Sequence, residues 1–286
     1  MSQTKILTEN RSIQAVIKNV RSRGQTIGLV PTMGSLHAGH LSLVEESNKR
    51  CEITVVTIFV NPLQFNEEND LRNYPRDLAA DVSILDQLSV DYVFAPSPEE
   101  LYPPGYSLSV DVGPLSKILE GRFRPGHFSG VATVLLKLFH LIPADTAFFG
   151  FKDYQQLKVV QQVVKDTNLP IKIVGCPTVR EEDGLAKSSR NQLLSPTERQ
   201  RAKCIYESLQ EAQKMVDDGE YDAKRIMQSM RRHIHQATGK VDYVALVNPD
   251  TLTPENDLTK NTLALIAVRL GDVRLIDNRL IKVGNG

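Results

Sequence analysis

The eleven residues from Val30, "VPTMGSLHAGH", hold His37 and His40 three apart in a glycine-bearing turn directly after an apolar run. Imidazoles so placed suit metal ligation, donation to a phosphate chain, or no chemistry at all in a turn that needs small residues. Metal ligation is the weakest of the three. A helical zinc site wants HExxH spacing and a further ligand, whereas "HAGH" lies on a glycine turn and lacks the glutamate. A phosphate fits better. Pro31 and Gly34 permit a tight strand-to-helix turn, and Gly39 lets a ligand approach the backbone where a helix begins. Orphan N–H groups at that helix start, aided by its positive dipole end, would point outward at an anion, with His37 and His40 as further donors.

Two more stretches suit the same ligand. "FFGFKDYQQL" puts Gly150, Lys152 and Asp153 after a strand and at a helix start, with Gln156 one turn further on. Lys152 supplies a point charge for an anion, while Asp153 can equally serve as a helix cap. "GLAKSSRN" gathers Lys187, Ser188, Ser189 and Arg190 into four consecutive donors, although so short a polar run is also what a solvated face looks like. "VNPLQF" ends another strand and offers Gln64 to a small polar substrate, with Asn61 and Pro62 shaping the turn. "RFRPGHFSGV" carries Arg122, Arg124 and His127 before a helix, where packing and capping explain His127 as well as chemistry does, and these three stay outside the candidate set.

The elements that must position these loops follow from periodicity. Ile13, Val16, Ile17 and Val20 mark one helix face that Gly24 can end, and "TIGLV" is a buried strand. The alternation continues through helix "HLSLVEESNKR", strand "ITVVTIFV", helix "DLAADVSILDQL", strand "DYVFA", helix "VATVLLKLFHLI", strand "TAFFG", helix "DYQQLKVVQQVV" and strand "IKIVG". That pattern predicts an α/β fold, a doubly wound, Rossmann-like parallel sheet covered on both faces, with ligands beyond the carboxyl ends of its strands. From about Val179 the texture turns polar. Two long helical stretches between Pro196 and about Gln236, then strands "VDYVALV" and "TLALIAVRL", predict a smaller α+β domain. The expected division is residues 1–178 for nucleotide binding and 179–286 for a lid, with the substrate chamber in the cleft between them.

Composition narrows the classes. Of 286 residues, 34 are Lys or Arg and 34 are Asp or Glu, so no basic footprint marks a nucleic-acid partner. Cys51, Cys176 and Cys204 are far apart and fit neither a disulfide framework nor a zinc knuckle, which suits a reducing cytoplasm. The N-terminus has no apolar signal region and no stretch approaches a membrane span, so a soluble intracellular protein is expected.

Taken together, "VPTMGSLHAGHLSLV", "IFVNPLQF", "GHFSGVATVLLKLF", "FFGFKDYQQL" and "LAKSSRN" resemble, in order and across most of the chain, the pantoate:β-alanine ligases of the HIGH-motif nucleotidylyltransferase superfamily. The resemblance implies ATP, pantoate and β-alanine as substrates, with pantothenate, AMP and pyrophosphate as products. It also implies Mg²⁺ and a homodimer. Carried over by motif, Met33, Gly34, Ser35, Leu36, His37, Ala38, Gly39 and His40 form the first part of the ATP site, with His40 as general acid. Gly150, Phe151, Lys152 and Asp153 complete that site with Lys187, Ser188, Ser189 and Arg190, and Val179 touches the nucleotide through its backbone. Gln64 and Gln156 hold pantoate. Asp81, in "YPRDLAAD", matches a position linked to the metal, against the rival reading of an exposed helix aspartate. Two positions depart from the family pattern: Lys187 stands where an apolar residue is usual, and Phe151 where a polar one is. The rival functions are nucleotidyl transfer to a phosphate acceptor, a class I aminoacyl-tRNA synthetase, which would want a basic RNA surface, and a non-catalytic ATP sensor.

Overall fold

Six parallel strands make the first sheet: β1 (Lys5–Leu7), β2 (Ile27–Thr32), β3 (Ile53–Ile58), β4 (Tyr92–Phe94), β5 (Thr146–Gly150) and β6 (Lys172–Cys176). Their order is β1-β4-β3-β2-β5-β6. The computed structural model describes residues 4–66, 71–72 and 74–284, and these form two units. The first unit is Met1–Phe151 with Gln156–Pro177; the second is Lys152–Gln155 with Thr178–Gly286.

Alternate residues of a strand face opposite sides of its sheet, and here both sides are covered. Leu29 and Val55 pack with Ile13, Ile17 and Leu135 from helices Asn10–Ser22 and His127–Leu141. Val30 and Val56, one residue on, pack with Val44 and Leu85 from helices Ala38–Arg50 and Leu78–Gln87. From β2 the chain moves outward to β3 and from β5 outward to β6, so the strand order reverses between β2 and β5. Open α/β sheets leave a crevice at such a point, beyond the strand ends. The turn carrying His37 and His40 follows β2, and the Phe151–Asp153 turn follows β5.

The doubly wound sheet and the smaller α+β part are both present as expected, with differences at particular elements. β2 runs on through Pro31, which pairs with Thr57 of β3; β5 pairs with β2 only at Gly28 and Leu29, leaving that flank open to a residue without an N–H. The helix after β2 starts at Ala38 rather than His40, and the helix of "GVATVLLKLF" starts at His127 rather than Val131. In the second unit, the span expected to hold two long helices holds three, Pro196–Arg201, Lys203–Asp217 and Ala223–Gln236. They accompany an antiparallel sheet of β7 (Lys240–Val247), β8 (Thr262–Leu270) and β9 (Val273–Ile281). β1 and β9 lie outside the sequence pattern: three residues are too few for periodicity, and β9 follows β8 after only Gly271 and Asp272. Among the described residues no helix is long and apolar enough to cross a membrane.

Leu29 sits at the centre of the first sheet with no exposed surface. Leu29→Ala is expected to cost about 2–5 kcal/mol in urea unfolding, through lost transfer energy and the cavity left behind. A loss below about 1 kcal/mol would contradict this packing.

Candidate active site

The turn after β2 is bent by two consecutive residues at positive φ, Gly34 at 82° and Ser35 at 53°. A side chain at Gly34 would be strained there, and its Cβ would meet Asp81 Oδ2 at 2.9 Å and Ile58 Cγ2 at 3.1 Å. The bend sends the amides inward. Gly34 N donates to Thr32 Oγ1 (3.2 Å), Ser35 N to Asp81 Oδ2 (2.9 Å) and Leu36 N to Asp81 Oδ1 (2.8 Å). At these three residues the amides are taken by acceptors of the protein, Thr32 Oγ1 and the buried Asp81 carboxylate. Asp81 is 4% exposed, so it is no exposed helix aspartate, and each of its oxygens accepts an amide of the turn. Burial pushes its carboxyl above the ordinary aspartate range while the two amide bonds pull it back down.

The two histidines close the other half of the turn. His37 is the N-cap of helix Ala38–Arg50: its Nδ1 accepts from Gly39 N at 3.1 Å, and His37 N donates to His40 Nδ1 at 3.4 Å. This is a reciprocal capping box made of imidazoles in place of Ser and Glu. The rings lie 4.1 Å apart between centroids. Because each Nδ1 accepts, the network assigns the proton of each neutral ring to Nε2. Gly39 is bare for a structural reason, since a Cβ there would meet His37 Cε1 at 2.9 Å.

Gln64 is buried at the end of the turn after β3 and its amide is oriented at both ends. Asn61 Nδ2 donates to Oε1 at 3.1 Å, and Nε2 donates to Met33 Sδ at 2.9 Å. Asn61, 1% exposed, also donates to Gly130 O and accepts from Tyr102 Oη at 2.8 Å. Burial, reinforced by Tyr106, raises the Tyr102 phenol and keeps it a donor. His127 Nδ1 donates to Gln64 O at 2.9 Å, which leaves Nε2 to accept from Arg124 Nη1 at 3.2 Å. Asn61, Tyr102, Arg124 and His127 thus hold Gln64 and its turn in place; sequence reasoning gives Asn61 only a turn-shaping part, leaves Arg124 and His127 outside the candidate set and does not point to Tyr102. Nothing in "RFRPGH" signals a partner some sixty residues away. Arg122 is exposed and plays no part in this cluster.

Phe151, the apolar departure, rests its ring against Gly175 of β6, where a Cβ would meet Phe151 Cε1 at 2.5 Å. Gln156 is half-buried in the first turn of helix Tyr154–Asp166, beside the buried Gln155. In the second unit, Lys152 Nζ stands 3.4 Å from Asp153 Oδ1. Residues 179–187 form a tight hairpin: Lys187 N donates to Val179 O, Glu181 N donates to Leu185 O, and Gly184 turns the chain at φ 88°. Lys187 closes the hairpin with an ion pair, its Nζ 2.7 Å from Glu181 Oε2. Ser188 Oγ accepts from Arg190 N as N-cap of the turn Ser189–Leu193. Among the described residues no group of three or more His, Cys, Asp or Glu could hold a metal ion.

The first unit thus joins the histidine turn to Gln64 and Asp81, while the second carries Lys152, Asp153 and the Val179–Arg190 segment. A family model described as pantoate-beta-alanine ligase matches residues 5–280. The chain belongs to that family. It is 51% identical over 270 residues to a pantothenate synthetase of Aquifex aeolicus, covering 94% of this chain and 95% of that one. It is also 48% identical to one from Sulfurihydrogenibium, covering 96% and 98%. Among solved structures, a pantothenate synthetase of Thermus thermophilus matches with a TM-score of 0.93 at 41% identity, over 98% of this chain and all of the other. The pantoate-beta-alanine ligase of Francisella tularensis, described as complexed with beta-gamma ATP and beta-alanine, matches with a TM-score of 0.84 at 36% identity, over 99% of this chain and all of the other.

Removing the Asp81 carboxylate leaves two inward amides without an acceptor. Asp81→Ala is expected to lower unfolding stability by about 2–4 kcal/mol, the sum for two stranded donors, as read by chemical denaturation. An unaffected midpoint would show that the turn does not hang on this residue.

Proposed function

We propose that this chain condenses pantoate with β-alanine at the expense of ATP, through a pantoyl adenylate, and that the residues above divide that work as follows. The observation that carries the division is the imidazole capping box, which turns both Nδ1 atoms to the protein and so puts the proton of each ring on Nε2.

A carboxylate acylates no amine in water, because oxide or hydroxide would have to leave. ATP removes the obstacle. The pantoate carboxylate attacks the α-phosphorus in line, the bond to the bridging oxygen breaks, and pyrophosphate leaves as the acyl phosphate anhydride with AMP forms. Negative charge grows on the departing oxygens, so donors fixed in advance stabilise the transition state more than the ground state. His37 and His40 donate hydrogen bonds through Nε2, His40 from the position that the resemblance gives to the general acid; Lys152 contributes a point charge, and Ser188, Ser189 and Arg190 the remaining donors. Gln64, its amide oriented by Asn61 and Met33, has a second Nε2 hydrogen for pantoate, and Gln156 shares that role. The β-alanine amine then attacks the acyl carbon and AMP leaves. That step depends on positioning and on exclusion of water, since an acyl adenylate is already reactive.

Mg²⁺ enters with ATP as part of the substrate, held mainly by phosphate oxygens as is usual for this ion. Asp81 acts through the turn it anchors, and Lys187 through the hairpin it closes. Residues 1–178 carry the histidine turn and the pantoate contacts, and residues 179–286, the closing segment, add Ser188, Ser189 and Arg190 to the nucleotide site. The three unpaired cysteines suit a cytoplasmic enzyme, and the family resemblance supports a homodimer.

Pyrophosphate release from ATP should require pantoate, and an amide product should appear only when β-alanine is added. Nucleotidyl transfer or ATP sensing predicts neither. His40→Ala and Lys152→Ala are each expected to slow adenylation by about 10² to 10³, the scale of one lost transition-state donor, and near-normal rates would refute their roles. Gln64→Ala should chiefly raise the KM for pantoate; if that KM stays put, Gln64 has another function.

A further inference from the structure

Strand β9 places two buried polar residues side by side, Asp277 at 2% and Asn278 at 6% exposure. Asp277 takes the Arg180 guanidinium in a fork, Nη1 to Oδ2 at 2.6 Å and Nη2 to Oδ1 at 3.0 Å. The same guanidinium donates to Gly184 O at 2.9 Å and to Asn278 O at 3.2 Å, and it stacks 4.5 Å from the Tyr206 ring centroid. Arg180 belongs to the 179–187 hairpin, one residue after Val179, so this fork fixes that hairpin to the sheet. Asn278 also reaches a second segment, where its Nδ2 donates to the backbone carbonyl of Lys152 at 2.8 Å. Two segments distant in sequence, Lys152–Asp153 and Val179–Arg190, are therefore suspended from adjacent residues of one strand.

A stability argument does not account for this choice of side chains. Burying an ion pair costs desolvation that its own attraction repays only with good geometry, and apolar residues of similar volume commonly serve at least as well. What the polar pair supplies and an apolar pair cannot is direction. A bidentate fork and a side-chain amide each fix a partner's position to within hydrogen-bond tolerance. Lys152 is the residue that most needs such fixing, because a lysine ammonium ends a flexible four-carbon stem and is aimed only as well as its backbone is held.

We propose that Asn278, braced by the Asp277–Arg180 fork, is a positioning residue for the adenylation step, acting through the backbone of Lys152. The inference rests on the role given to Lys152 above. Neither Asp277 nor Asn278 touches a reacting atom in this scheme; the strand sets where the lysine stem begins.

A double-mutant cycle on the full-length enzyme tests it, read as pantoate-dependent pyrophosphate release. Asn278→Ala is expected to lower kcat for adenylation by about 10- to 100-fold, the range that misplacement of about 1 Å can cause, with the KM for pantoate unchanged. In a Lys152→Ala background the same substitution should have no further effect, because the group it aims is gone. An equal slowing in both backgrounds, or no slowing by Asn278→Ala where Lys152→Ala is impaired, overturns the proposal. A Lys152→Ala enzyme of normal rate instead overturns the role of Lys152 itself. If Asn278→Ala does not fold, Asn278→Ser, polar but too short to span the distance to Lys152 O, is carried through the same cycle with the same criteria.

Discussion

A turn bent through Gly34 and Ser35 at positive φ faces the amides of Ser35 and Leu36 inward, and an inward amide without an acceptor costs as much as a lost hydrogen bond. The Asp81 carboxylate meets both from the helix Leu78–Gln87. Everything at the mouth of β2 follows from that contact. With the amides committed below, the turn can present only side chains above, and the start of the next helix is closed by an imidazole rather than left open. The acceptor of the turn's amides is thus a carboxylate of the protein itself, while the helix start beside it is capped by His37.

The supports of Gln64 repeat this logic with side-chain donors and acceptors. An amide side chain has a donor end and an acceptor end, and it is useful for binding only if the two are not interchangeable. Asn61 breaks the symmetry by donating to one end, and Tyr102 in turn fixes Asn61. Such a chain works because each member is held by a partner; a half-satisfied one in a buried setting is worse than an apolar core.

The parallel sheet was legible because its central strands carry long apolar runs and its helices a clear 3.6-residue repeat, as at Ile13, Ile17 and Val20. The candidate loops were legible because glycine, histidine, lysine and serine cluster at strand ends. What escaped was whatever depends on a partner that only the folded chain brings alongside, near in sequence or far. "YPRDLAAD" reads as a solvated helix start until Asp81 is seen under a turn some forty-five residues earlier. Lys187 reads as a donor until Glu181 is found opposite it across a hairpin. Local pattern reports which groups are available, and tertiary pairing decides which of them are already used.

Phe151 and Gly175 carry a consequence for anyone exchanging residues between relatives. The aromatic ring fills the space that a side chain on β6 would need, so the two positions behave as one unit shared between neighbouring strands. A polar residue grafted alone at 151 would uncover a bare stretch of sheet, and a larger residue grafted alone at 175 would meet the ring head-on. Leu157 Cδ2, 3.0 Å from the same Cβ position, limits what can be gained at 175 even when the ring is exchanged with it.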